Sequence, residues 1–267
     1  MKKEIDVPFI IDILKKIGDE FYKEFKQNAL PADEVGFYSQ FIANEEKCLS
    51  FIKSQLNSKY PEIPFSDGEF DNNEQKKPLL IPEYWICDAM DGAIQYIRHL
   101  PGWTINLVLI REGSADFAAI YDPMQQEMYW AKKGQGAYLN GELLQIKSKP
   151  ASRFLLATFD HSSSAEKTNG LTQRVGHSVH QLLQQYAIVR NFGPHGLQLA
   201  AIATGRIDIF CEEGLDTYNW LPGILIAQEA GAQISTTDGR DWSWGEDNLF
   251  VAAPGIVESF IAQSEKS

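Results

Sequence analysis

The sequence is poor in basic residues and has no basic cluster. Its 24 Lys and Arg residues face 36 Asp and Glu residues, so the formal net charge is −12. A chain this acidic repels nucleic-acid phosphates and anionic lipid surfaces, and neither is expected as a partner. The same charge would repel a phosphorylated substrate. Binding such a substrate would therefore require a local cation, for which a metal ion is the natural candidate.

Cysteines and long apolar runs are also scarce. The three cysteines, Cys48, Cys87 and Cys211, lie far apart without a C-x-x-C pair, which predicts buried free thiols in a reducing compartment. No apolar run approaches the roughly 18 residues of a membrane span. The N-terminal apolar stretch is interrupted by charges and predicts an amphipathic helix instead of a signal peptide, so a cytoplasmic location is expected.

Hydrophobic periodicity organises the N-terminal half. Helical spacing predicts a first helix capped by Asp6 and a second over about 39–58. Residues 61–82 contain turn dipeptides and prolines and are predicted to form a loop with at most one short strand. Short apolar strands with tight turns follow over about 84–139, which predicts an antiparallel sheet.

The C-terminal half has a different pattern. Strands and helices alternate after about residue 145, including a helix over about 220–230, which predicts helices layered on a second sheet. No linker separates the halves. We therefore expect a single domain over 1–267, with an N-terminal half of about 1–145 and a C-terminal half of about 146–267.

The most informative segment is 85–93, where an apolar strand ends in two carboxylates, Asp88 and Asp91, followed by Gly92. Mg²⁺ prefers oxygen ligands, and two carboxylates at a strand end can hold such an ion. A glycine permits a tight turn, and a helix beginning after it would direct N–H groups at a metal-bound phosphate. On spacing alone, two solvated turn carboxylates are the more frequent explanation of such a motif.

The surrounding motifs resemble the signatures of the inositol monophosphatase family. Residues 85–93 resemble its W-x-x-D-P-x-D-G-T motif, residues 122–141 resemble its D-P-x-x-x-E-x-x-x-A-x-x-G-x-G-A-x-x-N-G stretch, and residues 229–231 form its E-A-G. The similarity extends from about residue 8 to about residue 260. It implies an α/β fold, an αβαβα layered sandwich with a mostly antiparallel N-terminal sheet and a second mixed sheet, and a homodimer.

The resemblance also implies a chemistry. In the family, carboxylates hold Mg²⁺, which binds the phosphate of a small phosphorylated metabolite and lowers the pKa of the attacking water. Mn²⁺ is a possible substitute. By position in the motifs, the catalytic residues are Glu45, Asp88 and Asp91, and the metal ligands include both aspartates, the Met90 carbonyl and Asn219. The implied substrate-binding residues are Gly92, Ala93, Gly193, His195 and Glu212.

Three positions depart from the family pattern and predict a degenerate site with reduced metal affinity. Gly68 stands where the family has a ligating Glu, and its neighbours Asp67 and Glu69 either replace that ligand or are ordinary loop acids. Ala93 replaces the Thr that helps to orient the attacking water. Asn219 replaces a ligating Asp and keeps an oxygen without the charge.

Two further acids and one histidine bear on the same site. Glu45 aligns with the acid that pairs with the missing Thr, although a Glu on a helix is usually only solvated. Asp216 is a less favoured replacement for the lost carboxylate at 219. His195 stands where the family has a small residue and is expected to reshape the pocket, unless it simply begins a helix.

Three functions remain open from the sequence. The first is a weakened or retuned Mg²⁺-dependent phosphomonoesterase acting on a small phosphorylated polyol or sugar. The second is a catalytically silent relative that binds a phosphorylated ligand or a protein partner. The third is a superfamily phosphatase acting on a nucleotide 3′-phosphate or a sugar bisphosphate, which the acidic charge balance disfavours.

Overall fold

The computed structural model describes residues 4–66, 71–150, 152–162 and 170–264. The helices are α1 (Val7–Glu24), α2 (Glu34–Lys59), α3 (Asn72–Lys76), α4 (Ala93–Ile97), α5 (Leu171–Gln185), α6 (His195–Ala203), α7 (Thr217–Glu229) and α8 (Ile256–Ser264). The strands are β1 (Glu83–Asp91), β2 (Thr104–Arg111), β3 (Ser114–Asp122), β4 (Glu127–Lys132), β5 (Ala137–Leu139), β6 (Glu142–Leu144), β7 (Leu156–His161), β8 (Ile188–Arg190), β9 (Ile209–Glu213), β10 (Gln233–Ser235) and β11 (Asn248–Ala252).

Two capped helices form the first layer. The Asp6 side chain accepts a hydrogen bond from the Phe9 N–H at 3.1 Å, which confirms the predicted cap of α1. Helix α2 begins five residues before its predicted start, because Asp33 caps it through a 2.8 Å bond from the Gly36 N–H. Apolar residues of both helices pack on one face of the first sheet.

The first sheet is the predicted antiparallel one, with the order β1-β2-β3-β4-β5-β6. Alternate residues of its long strands enter two different hydrophobic clusters: Trp85 and Leu107 face the α1/α2 layer, whereas Ile86 and Val108 face the rest of the molecule. Both faces of the sheet are therefore covered, as the period-two geometry of a strand allows.

The second sheet has the order β10-β11-β9-β7-β8 and is mixed, since β7 pairs in parallel with both β8 and β9 whereas β11 is antiparallel to its neighbours. Helices α6 and α7 contact each other and lie between the two sheets, while α5 and α8 pack on the outer side of the second. The layers follow the order αβαβα, which confirms the predicted fold class.

A bulge at the end of β1 determines how its carboxylates are presented. Asp88 pairs with Asn106 and Asp91 pairs with Thr104, so three steps along β1 correspond to two along β2. In a regular strand, residues three apart point to opposite faces. The extra residue brings Asp91 back to the face of Asp88, as bulges beside functional sites often do.

Several local expectations needed correction. Residues 61–82 were expected to be loop, but they include α3, whose N-cap Asp71 accepts hydrogen bonds from the N–H groups of Asn73 and Glu74. Helix α7 begins at Thr217, before the predicted position 220, so Asn219 lies in its first turn. All three cysteines are buried and none forms a disulfide among the described residues, as predicted. Among the described residues, none of the helices has the length and apolar character needed to cross a bilayer.

Candidate functional site

A cavity of about 340 Å³ opens where the end of β1 meets the start of α6. Its walls collect residues from both halves of the chain. We call Asp88, Met90 and Asp91 the β1 wall, and His195 with Asn219, backed by Glu212 and Asp216, the C-terminal wall. The rest of the lining used below consists of Glu45, Gly92, Ala93, Asp160, His161, Asn191 and Gly193.

The β1 wall is held by backbone and amide hydrogen bonds. The Met90 N–H donates to Asp88 Oδ1 at 3.1 Å, which closes a local turn inside the bulge. Asp91 Oδ2 accepts from Asn106 Nδ2 at 2.9 Å and from the Gly196 N–H at 2.8 Å. Since Gly196 belongs to α6, this carboxylate connects the first sheet to the helix pair.

Burial controls the protonation of Asp91. The side chain is 5% exposed, and burial raises the pKa of Asp91 because the charged form loses its water. The charge of His195 and the bonds from Gly196 and Asn106 oppose this rise, whereas Asp216 adds to it. A divalent cation beside Asp91 would favour the charged form in the same way as His195 does.

Glu45 reaches the cavity from α2, in the outer helical layer. It is half-buried, and burial raises its pKa above the ordinary value of 4.5. A carboxylate with a raised pKa is a better proton acceptor near neutral pH than a fully solvated one. The structure thus places Glu45 on the cavity lining, and its catalytic role stays a prediction.

A short helix follows the two aspartates. Gly92 has a φ of +89°, and a Cβ there would lie 2.8 Å from the Gly102 carbonyl oxygen, so glycine is required. Helix α4 does begin at Ala93, but it is only five residues long, so its dipole is small. The anion-binding role predicted for Gly92 and Ala93 therefore depends mainly on individual N–H groups.

The C-terminal wall is built from hydrogen-bonded polar groups. His195 Nδ1 lies 2.8 Å from Glu212 Oε2, and its Nε2 lies 3.7 Å from Asp216 Oδ2. Asn219 Nδ2 donates to Asp216 Oδ1 at 2.9 Å. The Asn219 Oδ1 atom is buried without a hydrogen-bond partner. An unpartnered acceptor oxygen on the wall of an acidic cavity fits a hard cation such as Mg²⁺.

Glu212 does not lie on the cavity surface. It is fully buried behind His195 and also accepts from Trp220 Nε1 at 2.7 Å. The contact with a substrate hydroxyl that the resemblance implies would need His195 to move aside. Gly193 and His195 do line the cavity and stay candidates for substrate contact.

The remaining predicted ligands are not part of the described structure. Gly68, Asp67 and Glu69 lie outside the described residues. Whether either acid replaces the missing carboxylate therefore remains a prediction.

The sequence argument did not single out two polar residues that the structure brings to the site. Asp160 pairs in register with Glu212 across the parallel strands β7 and β9, and it lines the cavity. Asn106, on β2, holds Asp91. The parallel pairing could have indicated Asp160, because the carboxyl ends of parallel strands meet at one edge of a sheet. Nothing in the strand pattern of β2 distinguishes Asn106.

Comparison with known proteins supports the resemblance found in the sequence. The model of the inositol monophosphatase family matches residues 7–267. The chain belongs to the inositol monophosphatase family. Members of this family are metal-dependent, usually with Mg²⁺, and act on small phosphorylated substrates.

Individual relatives have two kinds of name. The chain is 28% identical over 254 residues to the Nus factor SuhB of Escherichia coli K12, covering 93% of this chain and 91% of that protein. It is 33% identical over 165 residues to an inositol-1-monophosphatase of Caulobacter vibrioides, covering 59% and 61%. The inositol monophosphatase-II of Staphylococcus aureus has the same fold, with a TM-score of 0.75 at 19% identity over 95% and 93% of the two chains.

Proposed function

We propose that this protein is a Mg²⁺-dependent phosphomonoesterase for a small phosphorylated polyol or sugar, with a site weakened by Gly68, Ala93 and Asn219. The observation that carries the proposal is the bulge of β1, which presents Asp88 and Asp91 on one face of the cavity. Glu45 and Asn219 lie on other walls of the same cavity. Mn²⁺ is an alternative ion, since it accepts the same oxygen ligands.

The residues of the chain divide the work as follows. Asp88, Asp91, the Met90 carbonyl and Asn219 would hold the ion, which when bound polarises the phosphate and activates a water. Asn106 and Gly196 fix the orientation of Asp91.

Residues other than the metal ligands serve proton transfer and substrate contact. Glu45, whose pKa is raised by burial, accepts the proton of the attacking water. Ala93 has no hydroxyl with which to assist, so a lower rate than that of family members with Thr is expected. The backbone of Gly193 and the imidazole of His195 border the space for the alcohol portion of the substrate.

The test is phosphate release from a panel of small phosphomonoesters across Mg²⁺ and Mn²⁺ concentrations. The panel includes inositol monophosphates, sugar phosphates and 2′-AMP, because structures of the staphylococcal IMPase-II contain inositol monophosphate or 2′-AMP. Asp88→Asn is expected to abolish metal-dependent release. Asp122→Asn is the matched control: Asp122 is also buried but does not line the cavity, and Asn keeps the acceptor for the N–H groups of Met124 and Gln125.

Restoring the family residues tests the alignment of the site. The triple variant Gly68→Glu, Ala93→Thr and Asn219→Asp should bind Mg²⁺ more tightly and release phosphate faster. If the triple variant binds Mg²⁺ no better than the natural chain, these positions are not the metal and water positions, and the proposed mechanism fails.

A binding role without hydrolysis is the second candidate. Two substitutions favour it: Ala93 lacks the hydroxyl, and Asn219 lacks the charge of the family residues. A family relative called a Nus factor shows that names in this family are not restricted to phosphatases. No phosphate release at any metal concentration, combined with calorimetric binding of an unhydrolysed phosphomonoester, would favour this candidate over the first.

A further inference from the structure

The C-terminal wall contains a mixed cluster of one imidazole and two carboxylates. His195 begins α6, Glu212 lies in β9, and Asp216 precedes α7. One potential ligand atom from each lies within 4.8 Å of the others. Asp88 and Asp91 line the β1 wall of the same cavity and contribute no atom to this cluster.

Glu212 fixes the imidazole in an orientation suited to metal binding. The 2.8 Å contact between His195 Nδ1 and Glu212 Oε2 assigns the Nδ1 proton to this bond. Trp220 Nε1 holds the same carboxylate oxygen at 2.7 Å. Metal-binding histidines usually donate one ring N–H to a carboxylate in this way, which leaves the other ring nitrogen as the ligand.

The second ring nitrogen, His195 Nε2, faces a carboxylate across a gap. His195 Nε2 and Asp216 Oδ2 are 3.7 Å apart, which is too long for a hydrogen bond. Two ligands of a tetrahedral Zn²⁺ bound at about 2.0–2.1 Å lie about 3.4 Å apart. A movement of a few tenths of an ångström would therefore let both atoms bind one ion.

Two buried oxygens of this wall have no hydrogen-bond partner. Glu212 is fully buried and its Oε1 has no hydrogen-bond partner. Asn219 Oδ1 is also buried and unpartnered, while its Nδ2 is held by Asp216 Oδ1. A buried acceptor without a partner destabilises the fold, and an ion bound by Asn219 Oδ1 would relieve that cost at this atom.

We propose that His195 Nε2, Asp216 Oδ2 and Asn219 Oδ1 form a site for a divalent ion that accepts an imidazole ligand, such as Zn²⁺, with Glu212 orienting the imidazole. This set shares Asn219 with the Mg²⁺ ligands proposed above, but it differs from an all-oxygen site, because imidazole favours Zn²⁺ and its transition-metal neighbours. The cavity beside His195 and Asn219 provides the path of entry. The site does not require phosphatase activity.

The test uses the full chain, treated with chelator, desalted, and titrated with Zn²⁺ by calorimetry. A second sample labelled with ¹⁵N in histidine reports on the ring nitrogens by NMR. We expect one equivalent of Zn²⁺ to bind and the Nε2 resonance of His195 to shift, with little change for His161. His161 is the internal reference, because it lines the same cavity but its Nδ1 contacts the Ser162 carbonyl.

Variants assign the ligands. His195→Gln and Asp216→Asn are each expected to weaken Zn²⁺ binding at least tenfold, whereas the matched controls His161→Gln and Asp160→Asn should change it less than threefold. Circular dichroism and thermal melts confirm that each variant is folded. Unchanged Zn²⁺ affinity in His195→Gln, or retention of the Nε2 proton at saturating Zn²⁺, would overturn the proposal and leave the cluster as a structural ion pair.

One more variant separates this inference from the proposed function. Asp88→Asn should abolish metal-dependent phosphate release and leave Zn²⁺ affinity within threefold. If Asp88→Asn removes Zn²⁺ binding while His195→Gln does not, the ion binds at the β1 wall and the new site does not exist. A protein that binds Zn²⁺ through His195 but releases no phosphate would refute the proposed function alone.

Discussion

The two walls of the cavity match the family motifs to different extents. The β1 wall keeps both aspartates of the family motif and holds them through a bulge, the Asn106 amide and the Gly196 N–H. The C-terminal wall has Asn219 where the resemblance implies an aspartate and His195 where it implies a small residue. The carboxylates fixed by the sheet match the family motif, while residues at the starts of helices α6 and α7 depart from the pattern that the resemblance implies.

The two walls differ in how much a substitution that alters metal preference would disturb the fold. Changing a residue in the bulge would disturb the pairing of β1 with β2 and the packing of both faces of the sheet. The first turns of α6 and α7 border the cavity. Substitutions there would replace one potential metal ligand with another and disturb the packing less. We therefore expect the walls to respond differently to the same kind of mutation.

The largest effect is expected at the β1 wall. Asp91→Asn removes the charge but keeps an oxygen that can accept from Asn106 and Gly196, so the fold should survive. We expect Mg²⁺-dependent kcat/KM to fall at least about 100-fold, more than the roughly 10–100-fold losses usual for groups that only support a ligand. His195→Gln should lower kcat/KM with Mg²⁺ by less than about tenfold. Equal losses in steady-state assays of the two variants would mean that both walls serve the same ion.

A second substitution disturbs the hydrogen bond between the Gly196 N–H of α6 and Asp91 of the β1 wall. A Cβ at Gly196 would lie 2.5 Å from Asn106 Nδ2 and 2.9 Å from Asp91 Oδ2. Gly196→Ala should therefore lower the free energy of unfolding by about 1–3 kcal/mol, the usual cost of overpacking a filled interior. It should also weaken Mg²⁺ binding, because the added methyl group displaces Asp91. Denaturant unfolding and calorimetry measure the two effects.

Gly176→Ala is the matched control for that variant. Gly176 is inside α5, and a Cβ there meets nothing within 4 Å. This change should leave metal binding unaltered and stabilise the protein by up to about 1 kcal/mol, since alanine favours the helix. Unaltered Mg²⁺ affinity in Gly196→Ala would show that α6 does not position Asp91.

A smaller effect is expected from restoring charge to the C-terminal wall. Asn219→Asp replaces an amide that donates to Asp216 Oδ1 with a second carboxylate close to the first. Without metal, the two like charges should lower the melting temperature. With Mg²⁺, affinity should rise about tenfold, because a carboxylate holds the ion more tightly than an amide.

The control for restored charge is Asn191→Asp, which adds the same charge on another part of the cavity lining. If both variants raise Mg²⁺ affinity equally, the gain comes from general attraction and not from ligation at position 219. Thermal melts with chelator and with Mg²⁺ distinguish the two cases.

The sequence predicted one wall of the site much better than the other. Alternating and helical apolar spacing is local, so the layers and the strand that ends at Asp88 could be predicted from it. The bulge could not, because it depends on how β1 pairs with β2. The sequence also could not predict that His195, Glu212 and Asp216 form a cluster, because the three residues come from different elements that meet only in the folded chain.

Errors in the helix boundaries had similar causes. Helix α7 begins at Thr217, whereas its apolar pattern is clear only from Trp220 onward. That difference matters for function, because it places Asn219 in a first turn directly above Asp216. The predicted substrate contact of Glu212 rested on alignment alone, and alignment carries no information about the imidazole that now covers it.

The smallest effect concerns pH in the metal-free protein. Burial raises the pKa of Glu212 to about 8, although the charge of His195 opposes the rise. Burial lowers the pKa of His195, but attraction to Glu212, Asp216 and Asp91 exceeds this and holds it well above 6.5. The folded pair thus binds a proton more tightly than the unfolded chain does.

A raised folded-state pKa gives stability that is complete below the unfolded value and is lost as pH rises through the folded value. The free energy of unfolding in chelator should therefore fall as pH rises from about 4.5, the ordinary value for Glu212, through about 8. Glu212→Gln removes one titrating group and one negative charge from His195, so its profile should be flatter, whereas His161→Gln should keep the natural slope. Urea unfolding at several pH values measures the slopes, and a natural chain with a flat profile would show that the pair holds no extra proton in the folded state.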